Sequence, residues 1–218
     1  MTALIRYHLA ATVHAQRYLA PLLFYALVLT VFTVNDQGPL AGSYVVSAGA
    51  LLLTMCWLTI TILNLENPAR RAITVVTAGG AGRVLAAETL LALLAGAVLI
   101  GVGTVFPILS GEHVVTAAEV GVGVLASAVT TCMGIAVGLV CSRSVVPRPG
   151  FSLLLALIVV IALPLTPGLP PINPMLIELS SAEPPADQLP TLAAYVALAA
   201  AVLALAFTAT RYVAHRRD

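Results

Sequence analysis

Residues 64–88 read NLENPARRAITVVTAGGAGRVLAAE. The stretch separates two long apolar runs and carries Arg70, Arg71 and Arg83, three of the ten basic residues in the chain. It also holds a short helix marked at both ends. The side-chain oxygen of Asn67 can cap the first turn. Pro68 suits the first helical position, whose N–H would be unpaired in any case. Gly79 and Gly80 can take the left-handed conformation that stops a helix. These signals predict a helix of about three turns over residues 68–78, lying outside the lipid.

The runs on either side set the class. Hydrophobic residues make up 60% of the 218 and charged residues only 9%, against about 25% charged in an ordinary soluble domain. Apolar runs of about 20 residues recur, the length needed to cross about 30 Å of hydrocarbon. Spans are predicted at about 18–34, 43–64, 84–109, 116–141, 151–164 and 190–212. The whole chain, 1–218, then forms one all-α polytopic membrane domain of six transmembrane helices.

Arginine supplies every basic residue, because the chain has no lysine. That usage fits GC-rich bacterial coding. Arg6 and Arg17 precede the first span, and Arg70, Arg71 and Arg83 follow the second. Arg143 and Arg148 follow the fourth, and Arg211, Arg216 and Arg217 end the chain. The other three loops hold Asp36, Glu112, Glu178, Glu183 and Asp187 and no arginine. Positive charge collects on the cytoplasmic side of membrane proteins. Both termini are therefore expected in the cytoplasm and the protein in the cell membrane.

Residues 1–17 are expected to form an interfacial helix, with Arg6, His14 and Arg17 on one face and Leu4, Ile5, Ala11 and Ala15 on the other. The alternative is that they extend the first span inward. Residues 163–189 carry seven prolines with a small apolar patch at 174–179. Prolines at that density are expected to preclude a regular helix. The segment reads either as a broken, re-entrant piece covered by protein or as a surface loop.

Chemistry-bearing patterns are sparse. HExxH and GxSxG are absent, and no aspartate pair lies within a span. The glycine run 79–82 has no lysine to reach a phosphate, so it is not a Walker A loop. The histidines His8, His14, His113 and His215 fall in loops or tails and read as solvated. Cys56, Cys132 and Cys141 have no metal spacing and read as small buried residues. Glu88 and Glu119 lie near span ends, where Glu88 is expected to reach toward Arg83 or Arg143. Gly134 and Gly138 form a small-xxx-small pair, and Gly96, Gly101 and Gly103 thin one side of the third span.

This arrangement resembles a type-2 ATP-binding-cassette exporter permease. The resemblance lies in the surface helix at 1–17, the cytoplasmic helical segment at 66–83 and the broken segment at 163–189. Glu66, Arg70, Arg71 and Ile73 occupy the places of the family's glutamate, arginine and apolar helical run, although no glycine–threonine–leucine segment follows the glutamate. The resemblance implies that this segment is a coupling helix, with Glu66, Arg70, Arg71, Ile73 and Val76 meeting a cytoplasmic ATP-binding subunit. It also implies a second membrane subunit, identical or related. ATP and Mg would sit on the partner, so this chain is expected to be no enzyme and to hold no cofactor. The lipid bilayer is its surroundings and nucleic acid is not an expected partner. The alternative is a non-transporting membrane subunit that recruits or regulates a cytoplasmic partner through the same helix.

Overall fold

The computed structural model describes residues 2–34, 40–110, 115–143, 149–181 and 184–217. Among them there are nine helices and no strand: α1 (Thr2–Ala15), α2 (Leu19–Thr33), α3 (Leu40–Leu63), α4 (Pro68–Ala78), α5 (Ala81–Ser110), α6 (Ala117–Val140), α7 (Pro149–Leu165), α8 (Ile172–Leu179) and α9 (Pro185–Arg217). Four of these, α3, α5, α6 and α9, are long and apolar enough to cross a membrane. A fifth candidate arises if α1 and α2 count together, but they are bent by 73°. α7 is apolar and shorter. Large apolar side chains stay open along α2 (Leu23, Leu27, Val31), α5 (Leu94, Val98, Leu109) and α7 (Leu154, Ile158). Such a continuous apolar exterior on an all-helical bundle is that of a multi-pass membrane protein.

α3 and α6 are the centre. Two-thirds of the apolar window of each is buried, against 17% for α9. Glycine lets their backbones meet. A Cβ on Gly134 would stand 2.7 Å from the Leu52 carbonyl oxygen, and one on Gly138 would stand 2.6 Å from Thr59 Cβ. On one side of this pair lie α7, α8 and α9, with Val160, Met175 and Leu192 in the shared core. α9 contributes one narrow seam, Leu192, Ala199 and Ala206, a spacing of seven that keeps to one face of a helix. On the other side lie α2 and α5, with Tyr25, Leu29, Leu85 and Leu99. Gly103 on α5 clears space for the Tyr25 hydroxyl, which shares a hydrogen bond with Ser47 Oγ at 3.0 Å. Gly96 likewise faces Thr131 and Met55, but Gly101 meets nothing. The expected thin face of α5 is therefore made by Gly96 and Gly103 alone.

The proline-rich segment departs from expectation. α8 is a regular eight-residue helix. Pro174 falls in its first turn, where the N–H has no intrahelical acceptor to lose. Its Ile172, Met175 and Leu179 are buried. Asn173 holds the turn before it: Nδ2 donates to the Pro164 carbonyl at 2.7 Å, and Oδ1 accepts from the Gly168 N–H at 3.2 Å. α6 opens on a capping box, with Thr116 N–H donating to Glu119 Oε2 at 2.9 Å and Glu119 N–H donating to Thr116 Oγ at 3.3 Å. Glu119, near the end of its expected span, is thus the cap of α6.

Replacing Gly134 or Gly138 by valine forces α3 and α6 apart. Overpacking of this kind costs about 1–3 kcal/mol, to be read as a lowered unfolding midpoint in detergent. Gly101→Ala, where an added methyl meets nothing, is expected to unfold like the wild type.

Candidate functional site

The arginine-bearing segments come together at one end of the bundle. Here α4 joins the last turn of α3 to the first turn of α5, and α1 packs beside them. The end of α9 closes a cleft with residues 79–83. The Arg143 N–H donates to Asn64 Oδ1 at 3.1 Å, which ties the end of α6 to the end of α3. Ser152 Oγ donates to the Cys141 carbonyl and brings α7 to the same level. Arg148 lies outside the described residues, as do Asp36, Glu112, His113 and Glu183.

α4 spans Pro68–Ala78, with Pro68 in its first turn. Asn67 has the extended backbone of a cap, yet its side chain makes no capping bond. The other end closes as the glycines predict. Gly79 is left-handed at φ 78°. The Gly80 N–H reaches Val75 O at 2.9 Å and the Gly79 N–H reaches Val76 O at 3.2 Å, the paired bonds of a Schellman stop. Arg83 adds a guanidinium bond of 3.2 Å to the Ala78 carbonyl.

One face of this helix is held inward by polar contacts. Arg71 Nη1 donates to Glu88 Oε1 at 2.8 Å, and Glu88 is only 1% exposed. It is the only ion pair among the described residues. Thr74 Oγ donates to Glu66 Oε1 at 3.2 Å, and both residues are buried. Two site residues predicted to meet a partner, Glu66 and Arg71, therefore point into the protein. The physical reason is Glu88. A carboxylate buried at the end of an apolar helix needs a cation, and Arg71 is the one within reach. Of the partners expected for Glu88, Arg83 gives its guanidinium to the Ala78 carbonyl, and Arg143 makes no ion pair with the carboxylate.

The opposite face is open. Ile73 is 66% and Val76 80% exposed, and Arg70 stands beside them. Ile73 and Arg70 also line a groove of about 750 Å3 between α1 and α4, closed on the α1 side by Leu4 and Tyr7. This short helix thus offers two exposed aliphatic side chains, Ile73 and Val76, with Ile73 and Arg70 at an open groove.

α1 contributes what sequence reading missed. Arg6, His14 and Arg17 are exposed, as expected of a surface helix. His8 is not: it is 1% exposed, and its Nε2 has no hydrogen-bond partner among the described residues. The spacing of Leu4, His8 and Thr12 at i, i+4 and i+8 is the signal that could have placed His8 on the inward face. Burial, opposed by the Glu66 carboxylate and helped by Arg71, holds the His8 imidazole below its ordinary value of 6.5. Burial and the same carboxylate push the neighbouring Tyr7 phenol up. Glu66 is thus the carboxylate that α1 and α4 share.

Among the described residues no three His, Cys, Asp or Glu side chains gather as metal ligands would. Comparison of the chain with protein-family models, with curated proteins and with solved structures returns no match. The site must be argued from its own geometry.

Two outcomes follow from the buried groups. Arg71→Ala strands the Glu88 carboxylate and should lower stability in detergent by about 3–5 kcal/mol. Arg71→Leu combined with Glu88→Leu should recover most of that, because no charge is then left unpaired. For His8 the unfolded chain binds its proton at higher pH than the folded one. The stability contributed by the neutral ring is therefore complete above pH 6.5 and is lost as pH falls from there toward the depressed folded value. The unfolding midpoint of the wild type should drop between pH 7.5 and pH 5 by more than that of His8→Leu.

Proposed function

We propose that this chain is the membrane subunit of an ATP-driven transporter that exports an apolar or amphipathic substrate. ATP is hydrolysed on a separate cytoplasmic subunit, which docks on α4. The observation that carries this reading is the exposure of Ile73 and Val76 on a helix locked from behind by Arg71–Glu88. Aliphatic side chains this open, on a helix clamped by a buried ion pair, are a surface waiting for a partner. Because the inner face is clamped, force applied at Ile73 and Val76 passes into α5 through Arg71 and Glu88, and into α1 through Glu66. That linkage is what a coupling helix needs in order to turn a partner's closure into movement of the bundle.

In this reading the arginine-rich end is cytoplasmic. The six spans are α2, α3, α5, α6, α7 and α9, with α1 on the inner surface and α8 as a broken segment turned back into the outer leaflet. α2 and α7 have 15 and 17 residues. They would reach about 22 and 25 Å, so local thinning of the bilayer or the adjoining turns make up the difference. A second copy of the chain, or a related one, completes the path. The open apolar faces of the bundle suit a greasy route between two such subunits better than a charged channel through one.

Coexpression with a Walker A ATPase from the neighbouring reading frame tests the docking. Wild-type chain should retain that subunit through purification. Ile73→Asp with Val76→Asp should lose it at least roughly ten-fold, as removal of a central apolar anchor does, while the chain still inserts. Unchanged retention would sink the proposal. Proteoliposomes of the complex should then move an amphipathic dye only with ATP. Retention without such movement would instead favour a membrane subunit that recruits a partner.

A further inference from the structure

A second cleft, of about 740 Å3, lies on the other side of the glycine turn, between the first turn of α5 and the last turns of α9. Its rim is basic. Arg83, Arg211 and His215 line it, with Tyr212 between them, and the Arg216 guanidinium sits 4.6 Å over the Tyr212 ring. Among the described residues no acidic side chain lines it and no ion pair reaches any of these arginines. Its floor is apolar, made by Ala86 and Phe207. Gly82 brings the Arg211 guanidinium against the backbone: a Cβ there would stand 3.0 Å from Nε. Two guanidinium groups thus line one cleft with no counter-charge among the described residues, and Arg83, whose Nη1 donates to the Ala78 carbonyl, keeps further N–H donors.

The level of the cleft matters as much as its charge. The apolar run of α5 begins at Val84, and that of α9 ends near Tyr212. The cleft therefore sits where hydrocarbon gives way to headgroups, its apolar floor toward the hydrocarbon and its basic rim outward. Further along α9, about a quarter-turn round from the cleft, Leu205 is 69% exposed, part of the apolar outer surface that acyl chains would cover. We propose that this cleft binds the headgroup of an anionic phospholipid from the arginine-rich leaflet. The phosphate would lie between Arg83 and Arg211, and Tyr212 would stand at the interface as such side chains do. This rests on the membrane orientation proposed above but not on docking of an ATPase. The lipid would bridge α5 and α9, next to the stop of α4, so the composition of the leaflet would bear on the helix that meets the partner.

Native mass spectrometry of the purified full-length chain, without any other subunit, tests this. Phosphatidylglycerol should be retained over phosphatidylcholine. Arg83→Gln and Arg211→Gln should each cut that preference about five-fold, the share a basic residue carries at an anionic surface. Gly82→Leu, which displaces the Arg211 guanidinium, should do the same, and Arg6→Gln, on exposed α1, should change nothing. Equal retention of the two lipids would overturn the proposal. So would a preference for phosphatidylglycerol that survives both arginine substitutions in protein with wild-type unfolding behaviour. Binding of inorganic phosphate that depends on the two arginines, with no preference between lipids, would assign the site to a soluble anion and overturn the lipid source. Because no ATPase takes part, a negative result here leaves the docking proposal standing, and loss of docking leaves this one standing.

Discussion

The 2.8 Å contact between Arg71 and Glu88 sets the geometry of the arginine-rich end. A carboxylate that is 1% exposed cannot stay charged beside hydrocarbon without a cation and good hydrogen bonds. Satisfying it fixes the rotation of α4 about its axis. Once Arg71 and Thr74 face inward, helical geometry turns Ile73 and Val76 outward, because they lie about 100–160° round the helix from those positions. The exposure of two aliphatic side chains outside the spans is thus a consequence of neutralising one buried charge. Glu66, buried against Thr74 and beside Tyr7, brings α1 into the same cluster.

Beneath this cluster the bundle depends on how closely α3 and α6 approach. In lipid no hydrophobic force drives helices together, so packing and hydrogen bonding must do so. Gly134 and Gly138 allow backbone-level contact with Leu52, Cys56 and Thr59. Hydroxyl groups inside the spans mostly turn back on their own helix, as Thr54 and Thr59 do to Ala50 and Met55. That satisfies them without a partner. The central pair is consequently a close, largely apolar contact, and polar contacts between elements are found to its side, at the Tyr25–Ser47–Gly103 cluster that joins α2, α3 and α5, and at the arginine-rich end.

Much of this was legible from residue patterns, and the misses share a cause. Helix α4 lies at 68–78 because its signals, Pro68 and Gly79, act within a few residues. The apolar runs and the arginine asymmetry are also local. What escaped were side-chain destinations. Glu88 is expected beside Arg83 or Arg143, since both are basic and near span ends, but Arg83 caps α4 and it is Arg71 that reaches the carboxylate. His8 read as solvated because a lone histidine near a terminus usually is, whereas packing of α1 against α5 buries it. Helix α8 runs against the expectation from proline density, because density takes no account of position. Pro174 falls where helices tolerate it. Thr116 and Glu119 stand at the spacing of a capping box, a signal local enough to be legible in the sequence.

The sequence by itself determined the helical class, the long apolar helices, of which four are long and apolar enough to cross a membrane, the sorting of arginine to one set of connections and the bounds of α4. Each of these rests on composition, or on interactions within about four residues, and needs no knowledge of what lies across the bundle. Only the tertiary structure decided which side of α4 is open, which carboxylate Arg71 neutralises, and that Arg83 and Arg211 flank one cleft. Those outcomes depend on distances between residues far apart in the chain. They are set by the competition of several arginines for few buried acceptors, and a linear pattern cannot resolve that competition.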